Sequence, residues 1–371
     1  MKKFPASHLA AYALLALPAS TWAAAPEQEK LYVAIEGEGK IAVFDTATRT
    51  LLRQIDLADG TRAVAPHNVQ VAPDGKSVWI TANSAHGGHG AKPKEADEHD
   101  SHHEAEAGET PADAVLVIDP ETDTVTQRIA IGPSLHLAHV VLTPDSATAY
   151  VTAQNESAVY QLDARHYTVT GKIPAPGGSQ PHGLRIAPDG AKGYVALLQG
   201  RGIGVLDTAS GKLEAVPVEG AAVQTAVTAD GKFALASLYD SKKLAVYDTA
   251  SKTLHYIELP KSARGPLQLY PAPDSRTVYV ADQGHYFGQP DGHLVFKVDL
   301  AQSRPAWPIN AGAAPHGIVV AKDGLHAYVS NLASDDLSII DLKTGMETAR
   351  LPVGKEPNGI SLWNRLSGGT P

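Results

Sequence analysis

The sequence contains no cysteine. That absence excludes disulfides, thiolate metal sites, a cysteine nucleophile and a lipid-modified N-terminal cysteine. Methionine is nearly absent too: beyond Met1 there is only Met346, which disfavours soft Cu(I) as a ligand. Basic runs are missing. Setting Lys2 and Lys3 aside leaves 29 of the 31 Lys and Arg against 40 Asp and Glu, a net charge of −11. Such a balance repels phosphate backbones and anionic lipid and argues against nucleic acid as a partner. No apolar run is long enough to span a bilayer, so no membrane insertion is expected. Common catalytic signatures are lacking: G-x-S-x-G, a P-loop, H-E-x-x-H, a clear dinucleotide fingerprint and a haem-attachment motif.

What is present begins with a basic start at Lys2 and Lys3, an apolar stretch from Leu9 to Leu17 and small residues before Pro26. This is the layout of a secretory signal peptide over residues 1–23, with the mature chain beginning near Ala24. A periplasmic or secreted location follows. An exported chain without disulfides must be stabilised by its core, and 43% hydrophobic residues are enough for one large repeat domain.

A unit recurs along residues 30–365: an apolar run ending in Pro-Asp-Gly or a variant, a second run such as "VYVAD", a polar loop, a third run closed by Asp, a turn and a last strand. The closing residues are Asp45, Asp119, Asp163, Asp207, Asp248, Asp299 and Asp341, spaced 74, 44, 44, 41, 51 and 42 apart. Seven copies of about 43 residues, four short strands each, make the period of a β-propeller. The expected fold is all-β: seven four-stranded antiparallel blades. The segment Pro357 to Trp363 supplies the inner strand of a blade whose other three strands come from Leu31 to Leu57, which closes the ring and removes two edge strands.

The stretches "AYVTAQNESAVYQLD", "AYVSNLASDDLSIIDLKTGMETARLPVGKEPNGI" and "PHGLRIAPDG" resemble the YVTN repeat of surface-layer and periplasmic seven-bladed propellers, including YncE-like proteins. The resemblance covers nearly the whole mature chain. It implies a fold rather than an activity, because propellers host binding proteins, lactonases, lyases and electron-transfer domains alike. It also implies that inner strands start on the ligand-binding face and that the loop between second and third strands opens there.

Counting back from each Pro-Asp-Gly turn places His67, Ala138, His182, Val223, Leu267, His316 and Asn358 at equivalent inner-strand starts. Three Pro-His pairs therefore share one register, with His136 and His139 beside the third-blade position. Converging imidazoles can coordinate a metal, bind an anion when protonated or shuttle protons; equally, each can be satisfied by a loop carbonyl or channel water. The 8-residue excess in the sixth unit brings His285, His293, Asp282 and Asp291 to the same face. Upper-loop carboxylates Glu36, Glu38, Glu156, Asp240, Asp335 and Asp336 read mostly as solvated charge, and His166, His255 and His326 as surface or packing residues.

The excess of about 30 residues in the second unit is an insertion, residues 84–111, holding five of the 16 histidines. Gly-rich and nearly free of apolar side chains, it cannot bury enough surface to offset ordering, so disorder without ligand is expected. His86 and His89 form H-x-x-H, while His99, His102 and His103 stand among Asp100 and Glu104, a donor set for Zn²⁺, with Cu(II) or Ni²⁺ as alternatives.

Three readings stand. A zinc-capturing or chaperone-like monomer would use the loop as collector and His67, His139, His182 and His316 as the tighter site, delivering to a periplasmic metal transporter or metalloprotein; periplasmic zinc chaperones look similar in design. A lactonase- or lyase-type enzyme would use a channel histidine as general base. An adaptor would carry its histidines incidentally.

Overall fold

The computed structural model describes residues 28–58, 63–84 and 111–365, together with Met1 and Gly60. The signal-peptide segment beyond Met1 and the five histidines of the insertion lie outside the described residues. The chain forms seven four-stranded antiparallel sheets, each running from an inner to an outer strand in sequence order except one. That exception is the closing blade, where inner strand Pro357–Asn364 pairs with Glu29–Ile35, followed by Lys40–Asp45 and Thr50–Asp56. Counting it as blade one, the other inner strands are Val64–Val71, Leu137–Leu142, Pro181–Ile186, Ala222–Val227, Pro266–Pro271 and Pro315–Val320. The expected seven-bladed propeller and its mode of closure are what the chain adopts. No helix among the described residues is long and apolar enough to cross a membrane.

Burial follows strand position. Second strands such as Thr148–Ala153 are buried along nearly their whole length, whereas the outer strand Thr50–Asp56 is exposed at all but one position. The core is accordingly a ring of layers between blades. Tyr32, Val43, Val69, Ile80 and Leu116 join blades one and two; Trp79, Val115, Val140 and Val151 join two and three. Each recurring Asp accepts a backbone N–H from two or three residues on, at 2.7–3.1 Å, which fixes the turn into the outer strand. At the inner hairpins Gly75 and Gly190 take φ of 70° and 74° as the turn requires. Ser146 and Ser275 accept the same left-handed step at φ 55°, and each hydroxyl receives the turn N–H of the preceding blade, Asp74 and Asp230 respectively.

One irregularity repeats in all seven inner strands. In blade four Pro181 pairs with Leu197 and Leu184 with Val195, so His182 and Gly183 together face the single residue Ala196. The same two-against-one bulge occurs at the equivalent residues of every other blade. A bulge bends the strand and re-aims side chains, here at the channel mouth. In four blades the single facing residue is Thr or Ser, and its hydroxyl bonds twice. Thr152 Oγ1 receives the N–H of His139 at 2.9 Å and donates to the carbonyl of His182, in the next blade, at 2.7 Å. Thr81, Ser237 and Ser330 make the equivalent pairs.

Removing this hydroxyl leaves a buried donor and a buried acceptor unmet. Thr152→Val is therefore expected to cost about 1–3 kcal/mol of unfolding free energy, and Thr152→Ser well under half of that. Urea titration of both variants measures it; a larger loss in Thr152→Ser than in Thr152→Val would mean that methyl packing, not the hydroxyl, carries the effect.

Candidate functional site

The bulges gather imidazoles from four blades at one end of the channel. Ring centroids of His67, His139 and His182 form a triangle with sides of 6.3, 5.6 and 5.5 Å. His316 stands 6.1 Å and His136 6.4 Å from His67. His67, His139 and His316 are each at most 4% exposed. His139 enters from the second bulge position, one residue past Ala138, and His136 from the left-handed residue before the strand, φ 55°, whose N–H is held by Asp113 at 2.9 Å. Asn358, in the matching place of blade one, joins the group directly: its Nδ2 donates to His67 Nδ1 at 3.0 Å and to Glu36 Oε2.

Glu36 corrects the reading of the upper-loop carboxylates as solvated. Its side chain is 8% exposed and Oε2 lies 3.4 Å from His67 Nδ1. The short 3₁₀ turn Glu36–Glu38 that follows the first strand tucks it over the channel, a placement that no spacing in the sequence marks. Asp282 stands at the expected face, beside Pro266: fully buried, it accepts the N–H groups of Arg264 and Gly265 and anchors the loop before the sixth inner strand. His285 is exposed and pairs with Asp291 at 2.8 Å, and His293 is exposed, so both stand outside the imidazole group.

The 8-residue excess contributes different residues to the site. It folds into a turn, Tyr286–Gly288, that sets the Tyr286 ring 5.8 Å from the His316 ring. Tyr239 Oη donates to the Tyr286 carbonyl and fixes the loop. Gln283, fully buried, accepts the Tyr286 N–H at 3.4 Å and donates through Nε2 to His316 Nδ1 at 3.1 Å. Gln224 behaves alike. Its Oε1 accepts the Thr225 N–H at 2.9 Å, which turns Nε2 toward His139 Nε2 at 3.3 Å. Gln224 crosses blade four to do so, where a Cβ on Gly183 would collide with it at 1.9 Å. Neither charge nor metal-ligating chemistry marks the glutamines in the sequence, although Gln224 occupies the second bulge position just as His139 does.

These contacts assign protons. His182 Nδ1 lies 2.9 Å from the Val223 carbonyl, which can only accept, so Nδ1 carries the hydrogen and Nε2 a lone pair. Buried His139 receives the Gln224 amide at Nε2, and its Nδ1 has no hydrogen-bond partner. Burial holds both imidazoles well below the usual range. For His139 the Arg185 guanidinium adds to this, followed by His182, His67 and His316. For His182 the neighbouring His67 and His136 add to it, against the opposing bond to Val223. Tyr286 is pushed well above the ordinary phenol range, first by burial and then by Glu36, and keeps its proton.

The group thus sets two imidazoles that burial keeps neutral, His139 and His182, beside His67 and His316 at a spacing near that of a metal site. Tetrahedral Zn²⁺ with Zn–N near 2.1 Å puts ring centroids about 5 Å apart, within roughly 1 Å of the triangle observed. As the side chains stand, no group of three His, Asp or Glu among the described residues is placed to hold a metal ion. The insertion leaves from the same end: Val64 pairs with Ser84, and Ser84 Oγ donates to Pro111 O at 3.0 Å, so the two described residues flanking it sit beside the start of the blade-two inner strand.

No protein-family model matches the chain, and no curated protein sequence matches it. Solved structures resemble it in fold. Hydrazine synthase of Kuenenia stuttgartiensis aligns over 79% of this chain and 88% of its own, at 19% identity and a TM-score of 0.62. A protein of unknown function from Desulfotomaculum acetoxidans aligns over 90% and 98%, at 15% identity and 0.67. A catalytically inactive His-to-Ala variant of virginiamycin B lyase from Staphylococcus aureus, with quinupristin, aligns over 91% and 96%, at 13% identity and 0.64.

The lowered imidazole pKa values make stability depend on pH with a definite sign. Unfolding frees His139 and His182 to protonate near pH 6.5, so the unfolded state binds more protons below that pH. Stability is fully present above about pH 6.5 and declines as pH falls toward the folded values, by up to about 1.4 kcal/mol per pH unit for each histidine. Thermal melts from pH 7.5 to 5 should fall more steeply for the parent than for His139→Gln; parallel curves would refute the assignment.

Proposed function

We propose that this chain is an exported seven-bladed propeller of the YVTN type that binds a divalent transition metal, zinc foremost, with Cu(II) or Ni²⁺ as alternatives. The observation that carries the reading is the triangle of His67, His139 and His182, with His316 beside it, in which imidazoles from four blades face one another at 5.5–6.3 Å. His182 Nε2 already offers a lone pair, whereas the unpartnered Nδ1 of His139 carries the ring hydrogen and would bind a metal only once that hydrogen is lost. His67 and His316 receive amide N–H groups at Nδ1. A neutral imidazole binds metal at its lone-pair nitrogen without first losing a proton.

In this reading the histidines of the insertion collect metal, and the channel end holds it more tightly. The signal-peptide layout supports a periplasmic or secreted setting, and a metal transporter or metalloprotein is the recipient this setting suggests. A monomer suffices. A second reading, a lyase- or lactonase-type enzyme, draws on the likeness to virginiamycin B lyase, whose histidine-to-alanine variant is catalytically inactive. Here a channel imidazole would serve as general base beneath Tyr286.

Titration of the mature chain with Zn²⁺ at pH 7.5 should give a Kd in roughly the micromolar range or tighter. His182→Ala and His316→Ala should each weaken it about 10-fold or more. Deletion of residues 85–109 should lower the number of ions bound while leaving the tight site. Binding no tighter than about millimolar, or no effect of either alanine, would overturn the metal reading. Turnover lost in His182→Ala with metal binding retained would select the enzyme.

A further inference from the structure

The opposite end of the channel holds a second chamber. Three residues past His182, about 10 Å along an extended strand, Arg185 lines a cavity of about 570 Å³. Its walls come from the lower ends of the inner strands: Gln70, Ala226, Tyr270, Val319 and Ser361 share that level with Arg185, among further Val, Ile, Ala and Pro side chains. The size suits a small molecule.

The polar content of the chamber is one-sided. Arg185 Nη1 donates to the Leu184 carbonyl at 2.8 Å, its one hydrogen bond among the described residues, and no carboxylate there pairs with it. Five N–H donors in a planar fork are thus mostly unspent. Among the described residues, the only other ionisable cation on the lining is Lys322, and no Asp or Glu lines the chamber. Ser361 Oγ accepts the Val71 N–H at 3.0 Å, which leaves its own hydrogen to donate, and Gln70 spends one amide N–H on the Val71 carbonyl. Arg185 is half-buried, and a partly desolvated cation without an anion is unfavourable unless something completes it. Burial draws the Arg185 guanidinium down from its ordinary pKa, against the influence of Tyr270.

We infer that this chamber binds a small organic anion, a carboxylate on an apolar body, with the Arg185 fork gripping the carboxylate and the Val, Ile and Ala walls covering the body. Bidentate pairing matches the planar fork, and the aliphatic walls suit a hydrocarbon body better than a fully hydrated ion. The site is separate from the imidazole group and needs no metal there in order to bind.

Calorimetric titration of the mature chain at pH 7.5 with benzoate, its neutral analogue benzamide and inorganic phosphate tests the inference. Benzoate should bind, benzamide about 10-fold or more weaker, and Arg185→Met should weaken benzoate by about 10-fold or more while His285→Ala, exposed and outside both groups, leaves it unchanged. Ligand-free Arg185→Met should melt at a higher temperature than the parent, because an unpaired desolvated charge is gone. If it melts lower, Arg185→Lys decides: benzoate binding regained in part supports the site, and none regained overturns it. Equal binding of benzoate and benzamide, binding of phosphate alone, or an unchanged affinity in Arg185→Met would each overturn it.

Discussion

The double hydrogen bond made by one buried hydroxyl ties together the features that define this channel. Thr81, Thr152, Ser237 and Ser330 each sit opposite a two-residue bulge, satisfy an N–H that the bulge displaces and reach into the next blade to satisfy a carbonyl there. A bulge on an inner strand would otherwise leave backbone groups unmet in a nearly dry place, at a cost comparable to a lost hydrogen bond for each. Because donor and acceptor lie in different blades, the bond also fixes how far one blade advances on its neighbour.

Where the hydroxyl is missing, a substitute shows the same constraint. Blade four has Ala196 at that position, and the Val223 carbonyl it would have served is met instead by His182 Nδ1. The imidazole is thereby part of the ring's backbone accounting and at the same time oriented with Nε2 directed away from that bond. Gly183 beside it lets Gln224 pass across to His139. One alanine and one glycine thus shape two of the three imidazoles in the triangle.

The periodic parts of this design were legible in the chain itself. Recurring Asp residues gave seven units because each caps the same turn, and the Pro-His register placed His67, His182 and His316 at one end because every inner strand begins alike. The bulge was not legible. It adds one residue to a strand without altering the spacing of the turns, so the inward aim of the second position, which brings in His139 and Gln224, left no mark on the repeat. Glu36 escaped for a related reason: a carboxylate on a hairpin tip is normally solvated, and only the closing strand with Asn358, 322 residues away in sequence, makes this tip a buried one. Asp282 stands at the expected face, beside Pro266, but its role as a fully buried loop anchor comes from the backbone N–H groups that claim it, which no spacing shows.

The two ends of the channel are not electrically independent. Arg185 already helps to hold His139 neutral, and a cation among the imidazoles would meet the same guanidinium. With an effective dielectric constant of about 20, two unit charges about 10 Å apart interact by roughly 1.7 kcal/mol, and a divalent ion by up to about twice that before salt screening. A carboxylate seated on Arg185 would cancel much of this repulsion. The coupling is reciprocal by thermodynamic necessity: an anion that favours the metal by a given factor is favoured by the metal to the same extent. The arrangement therefore supplies a physical route by which filling one mouth of the propeller would set the affinity of the other without any strand having to move.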